Sequence, residues 1–355
     1  MRLLDEICNC SKKIYILGNG GMGTSLYEYL MALGIGVQGF LVNDDHYEES
    51  MSNTIKVSDL KLSPQEVLVI VAIRDNQKAV SKSVIMKGYD TIYVNYPRDM
   101  LDIYGEYYKR LFRKVNVDFD SNYINYKGYI FINPFKLDEG RELDWYLEAR
   151  DNILPELFGD YSLVYEGSYF YGNNQIDEQD VVIDAGANIG LFSSVAAKKG
   201  GIVYAFEPDE NNVKYLKEIA QVFPNIKIVK KALADKKVES TNFFVDTLQR
   251  SRNSIYENMV GSDCEKIEVQ VTTIDDFVRE KELNKVDFIK ADIEGAERMM
   301  LKGATETIQK FHPKISICTY HKKDDPEVLE SLVKQIAPGY QVVHKWKKMF
   351  AYYEK

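Results

Sequence analysis

Apolar positions along the chain fall into two series in which short hydrophobic runs alternate with segments of helical period. The first begins with Lys13-Ile14-Tyr15-Ile16-Leu17, a β-rich run followed by Leu26, Leu30 and Leu33 at helical spacing. Runs at 37–42, 67–72 and 91–94 predict further strands, with a helix over about 77–86. The second series opens at 181–184 and continues as helix 191–199, strand 202–206, helix 211–222 and strand 226–229. Two runs at 242–245 and 267–271 read as an insertion. Helix 274–282, strand 286–291, helix 296–311, strand 315–319 and helix 326–335 then resume the pattern. The runs 340–344 and 349–353 flank a short Lys-rich turn, which predicts an antiparallel hairpin.

Alternating strands and helices imply parallel sheets with right-handed crossovers. The expected fold class is therefore α/β, with two Rossmann-like domains, the C-terminal one ending in an antiparallel strand. Residues 98–160 break the pattern with aromatic-rich helical segments at 101–115 and 142–153 around a polar stretch at 118–125. The expected organisation is an accessory domain at 1–97, a helical connector at 98–160 and a second α/β domain at 161–355, with 161–171 read as a β-hairpin or edge strands.

Composition changes this picture little. With 45% hydrophobic and 28% charged residues over 355 positions, the chain has ample material for more than one core. A net charge of -9 argues against a nucleic-acid backbone as partner, because phosphate binding needs clustered positive charge. No apolar run is long enough to span a bilayer and the first residues carry no signal-peptide core, so a cytoplasmic chain without a membrane span is expected. The four cysteines are too scattered for a disulfide framework or a zinc site and are expected to be reduced. Six of the 25 tyrosines crowd between Tyr104 and Tyr129, where packing rather than sugar binding is the expected role.

Chemistry concentrates where the second series starts. In Asp184-Ala185-Gly186-Ala187-Asn188-Ile189-Gly190 a buried strand turns into a helix through glycines, which let backbone approach a ligand. A dinucleotide loop aims a helix N-terminus at a pyrophosphate. This one opens on a carboxylate, Asp184, which suits a cationic ligand such as a sulfonium with an α-ammonium group. The next strand ends in Glu207, whose two oxygens can accept from both hydroxyls of a ribose. The rival readings are a loop that only packs and a site for NAD. Asp184 and the missing GxGxxG spacing count against NAD.

These residues carry a resemblance. From about 161 to 355 the chain resembles the FkbM-type methyltransferases, class I enzymes that use S-adenosylmethionine. The resemblance rests on 182–190, on Phe206-Glu207-Pro208-Asp209, on Thr273-Ile274-Asp275-Asp276, and on Lys290-Ala291-Asp292-Ile293-Glu294-Gly295-Ala296-Glu297. It implies that Asp184, Gly186, Asn188 and Gly190 shape the methionine end of a cofactor site, that Glu207 holds the ribose, and that Ala232 and Leu233 lie near the adenine. It also implies methylation of a hydroxyl on a sugar or glycan precursor, with a small-molecule or nucleotide-linked sugar as acceptor.

Methyl transfer to a hydroxyl needs alignment and removal of a proton. Asp292 and Glu294 follow strand 286–291, and alternation aims both side chains the same way if the strand continues. Base or substrate ligand, divalent-cation ligand and helix cap are the open readings, and spacing reveals no third metal ligand, so no metal is assigned. His321, just past strand 315–319, offers a neutral imidazole as an alternative base, against the plain reading of a surface loop histidine. In the first series Gly18, Gly20 and Gly23 form a GxGxxG with Asp44 about 20 residues beyond, the pattern of a second nucleotide site. Its alternative is a scaffold or homodimer surface. The competing functions are accordingly a non-catalytic nucleotide-binding or scaffold protein and an NAD-linked sugar-modifying enzyme.

Overall fold

The computed structural model describes residues 3–73, 76–138, 141–246, 252–260 and 264–354. The chain forms two compact units, Met1–Asn116 and Val117–Lys355. In the first, strands β1 (Lys13–Leu17), β2 (Val37–Val42), β3 (Thr54–Lys56), β4 (Val67–Val71) and β5 (Asp90–Tyr93) form a parallel sheet in the order β3-β2-β1-β4-β5. All five residues of β4 are buried, as a strand covered on both faces requires. Strand β3 was not foreseen, being only three residues long. The helix expected over 77–86 is two short helices, Gln77–Val80 and Lys82–Met86, parted at the buried Ser81, whose hydroxyl is 2.9 Å from the Tyr93 hydroxyl. The tyrosine-rich helix Arg98–Lys114 packs within this unit: Tyr104 lies 4.5 Å from Tyr29, ring to ring, and meets Ser25 at 2.9 Å.

The second unit begins with a hairpin, β6 (Tyr123–Tyr126) and β7 (Tyr129–Ile132), in the stretch expected to be helical connector. Helix Glu142–Asn152 follows. Residues 161–171, expected as strands, form none: the backbone N–H groups of Tyr165, Glu166 and Gly167 all donate to Asp151 Oδ1, at 2.8, 3.0 and 3.2 Å. One buried carboxylate takes the donors a neighbouring strand would have used.

Among the described residues, ten further strands complete the unit. They are β8 (Val181–Ala185), β9 (Ile202–Phe206), β10 (Ile226–Val229), β11 (Ala232–Leu233), β12 (Val238–Asp246), β13 (Cys264–Thr272), β14 (Phe288–Ala291), β15 (Lys314–Cys318), β16 (Tyr340–Lys345) and β17 (Lys348–Tyr353). Seven form the main sheet in the order β10-β9-β8-β14-β15-β17-β16, parallel except that β17 runs antiparallel to both neighbours. The insertion is a side sheet in the order β11-β13-β12. The chain is thus α/β with two Rossmann-like units, the second ending in the antiparallel strand that the Lys-rich turn predicts. Strand order reverses between β8 and β14, and ligands of open α/β sheets bind beyond the carboxyl ends of the strands at such a point. Among the described residues no helix is long and apolar enough to cross a membrane.

Candidate active site

The turn after β8 is built against its neighbours. The N–H groups of Gly186 and Ala187 both donate to Phe206 O at the end of β9, at 3.1 and 2.9 Å, and Asp292 N–H donates to Ala185 O at 3.1 Å. Gly186 has φ 79°, and a Cβ there would lie 1.9 Å from Asp292 O. Gly190, φ 90°, would place its Cβ 2.8 Å from Leu216 Cδ1. At both glycines the space a Cβ would need is taken by neighbouring protein, a packing reason for glycine that the spacing alone does not reveal.

Asp184 is also not where the cationic-ligand argument puts it. Its side chain is fully buried, with Oδ1 3.0 Å from Lys290 Nζ and Oδ2 accepting from Ser193 Oγ at 2.5 Å. Lys290, on β14, donates onward to Gly186 O at 2.6 Å. Burial opposes its charge, yet Asp184, Asp292 and Glu148 hold the ammonium above its usual range. The cation opposite Asp184 comes from the chain itself, and the ion pair ties β8, β14 and the turn together.

Glu207, at the end of β9, joins two turns. Its Oε2 accepts from Asn188 N–H and its Oε1 from Asp209 N–H, both at 2.9 Å. Asn188 sits in the left-handed region at φ 47°, which turns its N–H toward Glu207. Burial pushes Glu207 up to about 7, helped by the neighbouring Asp209 and opposed by the donated hydrogen bonds. The Asn188 amide donates to Glu148, whose carboxyl desolvation pushes up to about 8, while Asn188 Oδ1 is buried with no hydrogen-bond partner among the described residues. Ala232 and Leu233 form β11, their side chains committed to two apolar cores.

Beyond β14 the strand does not continue, so alternation is not what aligns Asp292 and Glu294. A turn does so, through Glu294 at φ 50° and Gly295 at φ 93°. His321, after β15, lies between them: its Nε2 is 3.5 Å from Asp292 Oδ1 and 3.3 Å from Glu294 Oε2, while Nδ1 is 3.2 Å from Glu297 Oε1. Its side chain is 3% exposed, against 25% for Asp292 and 16% for Glu294. Burial works against a charged imidazole, but Glu297 and Glu294 outweigh it and push His321 up to about 12. An imidazole kept protonated by these carboxylates has no free lone pair with which to take a proton, so a role as neutral base requires that a cation or an acceptor first displace that proton. Nor is His321 a surface histidine. Burial would raise Asp292, but His321, Lys290 and Lys348 hold it below the ordinary carboxylate value, and burial pushes Glu294 up to about 7.

Several neighbours escaped the sequence reading. Tyr169 donates to Asp292 Oδ2 at 2.6 Å, and the buried Lys348 places its ammonium 4.3 Å from the Tyr169 ring while donating to Glu166 O at 3.2 Å. Lys290 was readable in principle, as a charged residue inside an otherwise apolar strand, whereas Lys348 opens β17 within a Lys-rich turn and gave no such signal.

In the first unit, Gly18 turns the chain at φ 105° after β1, a Cβ on Gly23 would meet Gly18 O at 2.0 Å, and a Cβ on Gly20 would meet nothing within 4 Å. Asp44 is exposed beyond β2, its Oδ1 accepting from Ser58 N–H at 3.2 Å, and that hydrogen-bonding lowers its pKa.

The family model described as methyltransferase FkbM domain matches residues 184–341. The hexuronic acid methyltransferase AglP of Haloferax volcanii is 26% identical over 163 residues, 45% of this chain and 64% of that protein. An uncharacterized protein of Methanocaldococcus jannaschii is 45% identical over 56 residues, 15% of this chain and 22% of that protein. The chain thus spans less than two thirds of the length of these curated relatives. The crystal structure of methyltransferase FkbM from Methylobacillus flagellatus KT aligns over 97% of this chain and 90% of that one, with 19% identity and a TM-score of 0.42.

Proposed function

We propose that the chain, whose residues 184–341 match the FkbM methyltransferase family model, uses S-adenosylmethionine to methylate a hydroxyl of a sugar or glycan precursor. The observation that carries this reading is Glu207, whose two oxygens bridge the turns after β8 and β9 and retain lone pairs for two further donors, beside the unpartnered Asn188 Oδ1. A ribose offers two adjacent hydroxyls to Glu207, and an amino-acid end offers an ammonium to Asn188. S-adenosylmethionine, when bound, supplies a methyl group already activated on a sulfonium. Asp184, Lys290, Gly186 and Gly190 position the turn in this reading, while Asp292, Glu294 and His321 bound the acceptor side.

A sugar acceptor is supported by aromatic rings where Trp346 on the β16–β17 turn meets tyrosines of the segment 161–171. Trp346 stacks on Tyr161 at 6.1 Å and 6°, and meets Tyr171 edge-on at 5.6 Å. All three are more than a third exposed, and Lys347, next to Trp346, lies 3.6 Å from the Tyr165 ring and 5.5 Å from that of Tyr320. Exposed aromatic faces flanked by lysines suit a sugar ring that carries an acidic group. The relative from Haloferax volcanii, named for hexuronic acid, adds weight to that substrate class. Mass spectrometry of glycan precursors incubated with methyl-labelled S-adenosylmethionine tests the reading, which fails if no precursor gains the label. Trp346→Ala is expected to raise the acceptor KM by roughly tenfold with little change in kcat.

A second ligand at Gly18, Gly20, Gly23 and Asp44 belongs to the same proposal. Gly20 stands open where a phosphate approaches such loops, and Gly18 and Gly23 fill the turn and packing positions. Fluorescence titration with NADH and with a nucleotide sugar is expected to give saturable binding that Gly20→Leu removes. Flat titrations would leave this unit as a scaffold.

A further inference from the structure

We propose that Asp292, Glu294 and His321 form a binding site for a first-row divalent cation, with Mn2+ its simplest probe. Its geometry stands apart from the methyl-transfer reading, and only its consequence rests on that reading.

The three side chains converge: their candidate ligand atoms all lie within 4.8 Å of one another. The separations from His321 Nε2, 3.5 Å to Asp292 Oδ1 and 3.3 Å to Glu294 Oε2, approach the roughly 3.0 Å expected between adjacent ligands about 2.1 Å from one cation. Small side-chain adjustments close the difference. The imidazole is the second, independent sign. Its side chain is only 3% exposed, and its ring nitrogens face carboxylate oxygens of Asp292, Glu294 and Glu297 at 3.2–3.5 Å without making a hydrogen bond of good geometry to any of them. Buried polar groups in folded proteins are normally bonded, and a cation seated between Nε2 and the two carboxylates would give this nitrogen a partner of good geometry.

The surroundings match what supports a metal-bound histidine. Such a histidine usually presents its other ring nitrogen to a carboxylate, which fixes the tautomer and ring plane. Glu297, 1% exposed, occupies that position 3.2 Å from Nδ1, and is itself held by Ile293 N–H at 2.9 Å. Tyr169 donates to Asp292 Oδ2 at 2.6 Å, and Oδ1, which faces His321, accepts only a long bond of 3.5 Å from the Tyr320 hydroxyl among the described residues. Asp292 and Glu294 keep a quarter and a sixth of their side-chain surface open, so a cation can enter and retain positions for water or an acceptor oxygen. A second grouping of Glu297, His321 and Asp325 carries no such argument, because Asp325 is already engaged by Arg298 and by Lys322 N–H, each at 2.7 Å. One nitrogen with two carboxylates favours Mn2+, Fe2+ or Zn2+ over Mg2+.

The consequence is a route for the acceptor proton. A hydroxyl oxygen coordinated by the cation is more acidic, and its O–H bond breaks with the proton passing to water. The oxygen then forms the O–CH3 bond as the C–S bond breaks, with that electron pair remaining on sulfur.

The test is Mn2+ titration of the metal-stripped full chain, followed by calorimetry and by the Mn2+ electron paramagnetic resonance signal. One equivalent is expected to bind at micromolar concentration, with Mg2+ at least tenfold weaker. Asp292→Asn and His321→Ala are each expected to weaken Mn2+ at least tenfold, and Glu297→Gln about tenfold, with the circular dichroism spectrum retained. Glu294→Gln replaces any variant that does not fold. No Mn2+ or Zn2+ binding below millimolar concentration, or unchanged binding in the folded variants, overturns the proposal. Methyl transfer that proceeds undiminished in the stripped chain overturns the proton route through the cation and leaves the methyl-transfer reading intact. Bound Mn2+ without any methyl transfer overturns that reading and leaves the cation site intact.

Discussion

Lys290→Met is expected to destabilise the C-terminal unit by about 3–5 kcal/mol, the usual effect of removing one partner of a buried ion pair. Lys290 and Asp184 are 5% and 0% exposed, so the charge left on Asp184 would be desolvated. The substitution leaves Asp184 with Ser193 as its remaining polar partner and removes the donor that binds Gly186 O. A lysine raised above its unfolded value of 10.5 contributes fully below that value and loses its contribution only as pH climbs through its higher folded one. The loss should therefore be the same at any near-neutral pH. The double variant Asp184→Asn, Lys290→Met removes both charges and is expected to regain more than half of the lost stability. Urea unfolding followed by tryptophan fluorescence measures both. A cost under about 1 kcal/mol for the single variant, or a double variant no better than it, would show that the pair does not hold the turn.

The ion pair also marks where the sequence stops being readable. Alternation of apolar runs suffices for the parallel sheets, and the run 181–184 leading into glycines locates the turn after β8. What alternation cannot say is what faces Asp184, because Lys290 is 106 positions away and only the pairing of β14 with β8 brings it there, in register with Asp184 itself. The hairpin β6–β7 was hidden for a local reason. Its turn uses Lys127 and Gly128 at φ 52° and 80°, without the Asn-Gly or Asp-Gly signal, and its strands are aromatic and half exposed. Residues 161–171 misled in the opposite direction, being apolar enough for strands but bonded to Asp151. The cluster around His321 was legible as three separate residues. Glu297 and Tyr169, which orient it, become visible only when the helix after β14 and the coil before β8 are packed.

Glu207→Ala is expected to weaken S-adenosylmethionine binding by at least roughly a hundredfold, since two hydroxyl bonds to an ionised carboxylate contribute about 1.5–3 kcal/mol each. The same change strips the acceptors from Asn188 and Asp209 N–H, so the turns loosen together with the loss of the ribose contacts. The pH dependence separates these effects. Glu207 is pushed up to about 7 by burial, with Asp209 beside it, and only its ionised form offers both oxygens as acceptors. Affinity should therefore fall by up to about tenfold per pH unit below about 7 and level off above it. Stability of the empty chain runs the other way: a carboxyl raised from 4.5 contributes fully below that value and loses its contribution as pH rises through about 7. Glu207→Gln removes the titrating group, so it should bind weakly and equally across this range. Calorimetric titration between about pH 5.5 and pH 8 reads all of these. A wild-type affinity that is flat across that window, or a Glu207→Ala affinity within threefold of wild type, would remove Glu207 from the cofactor site.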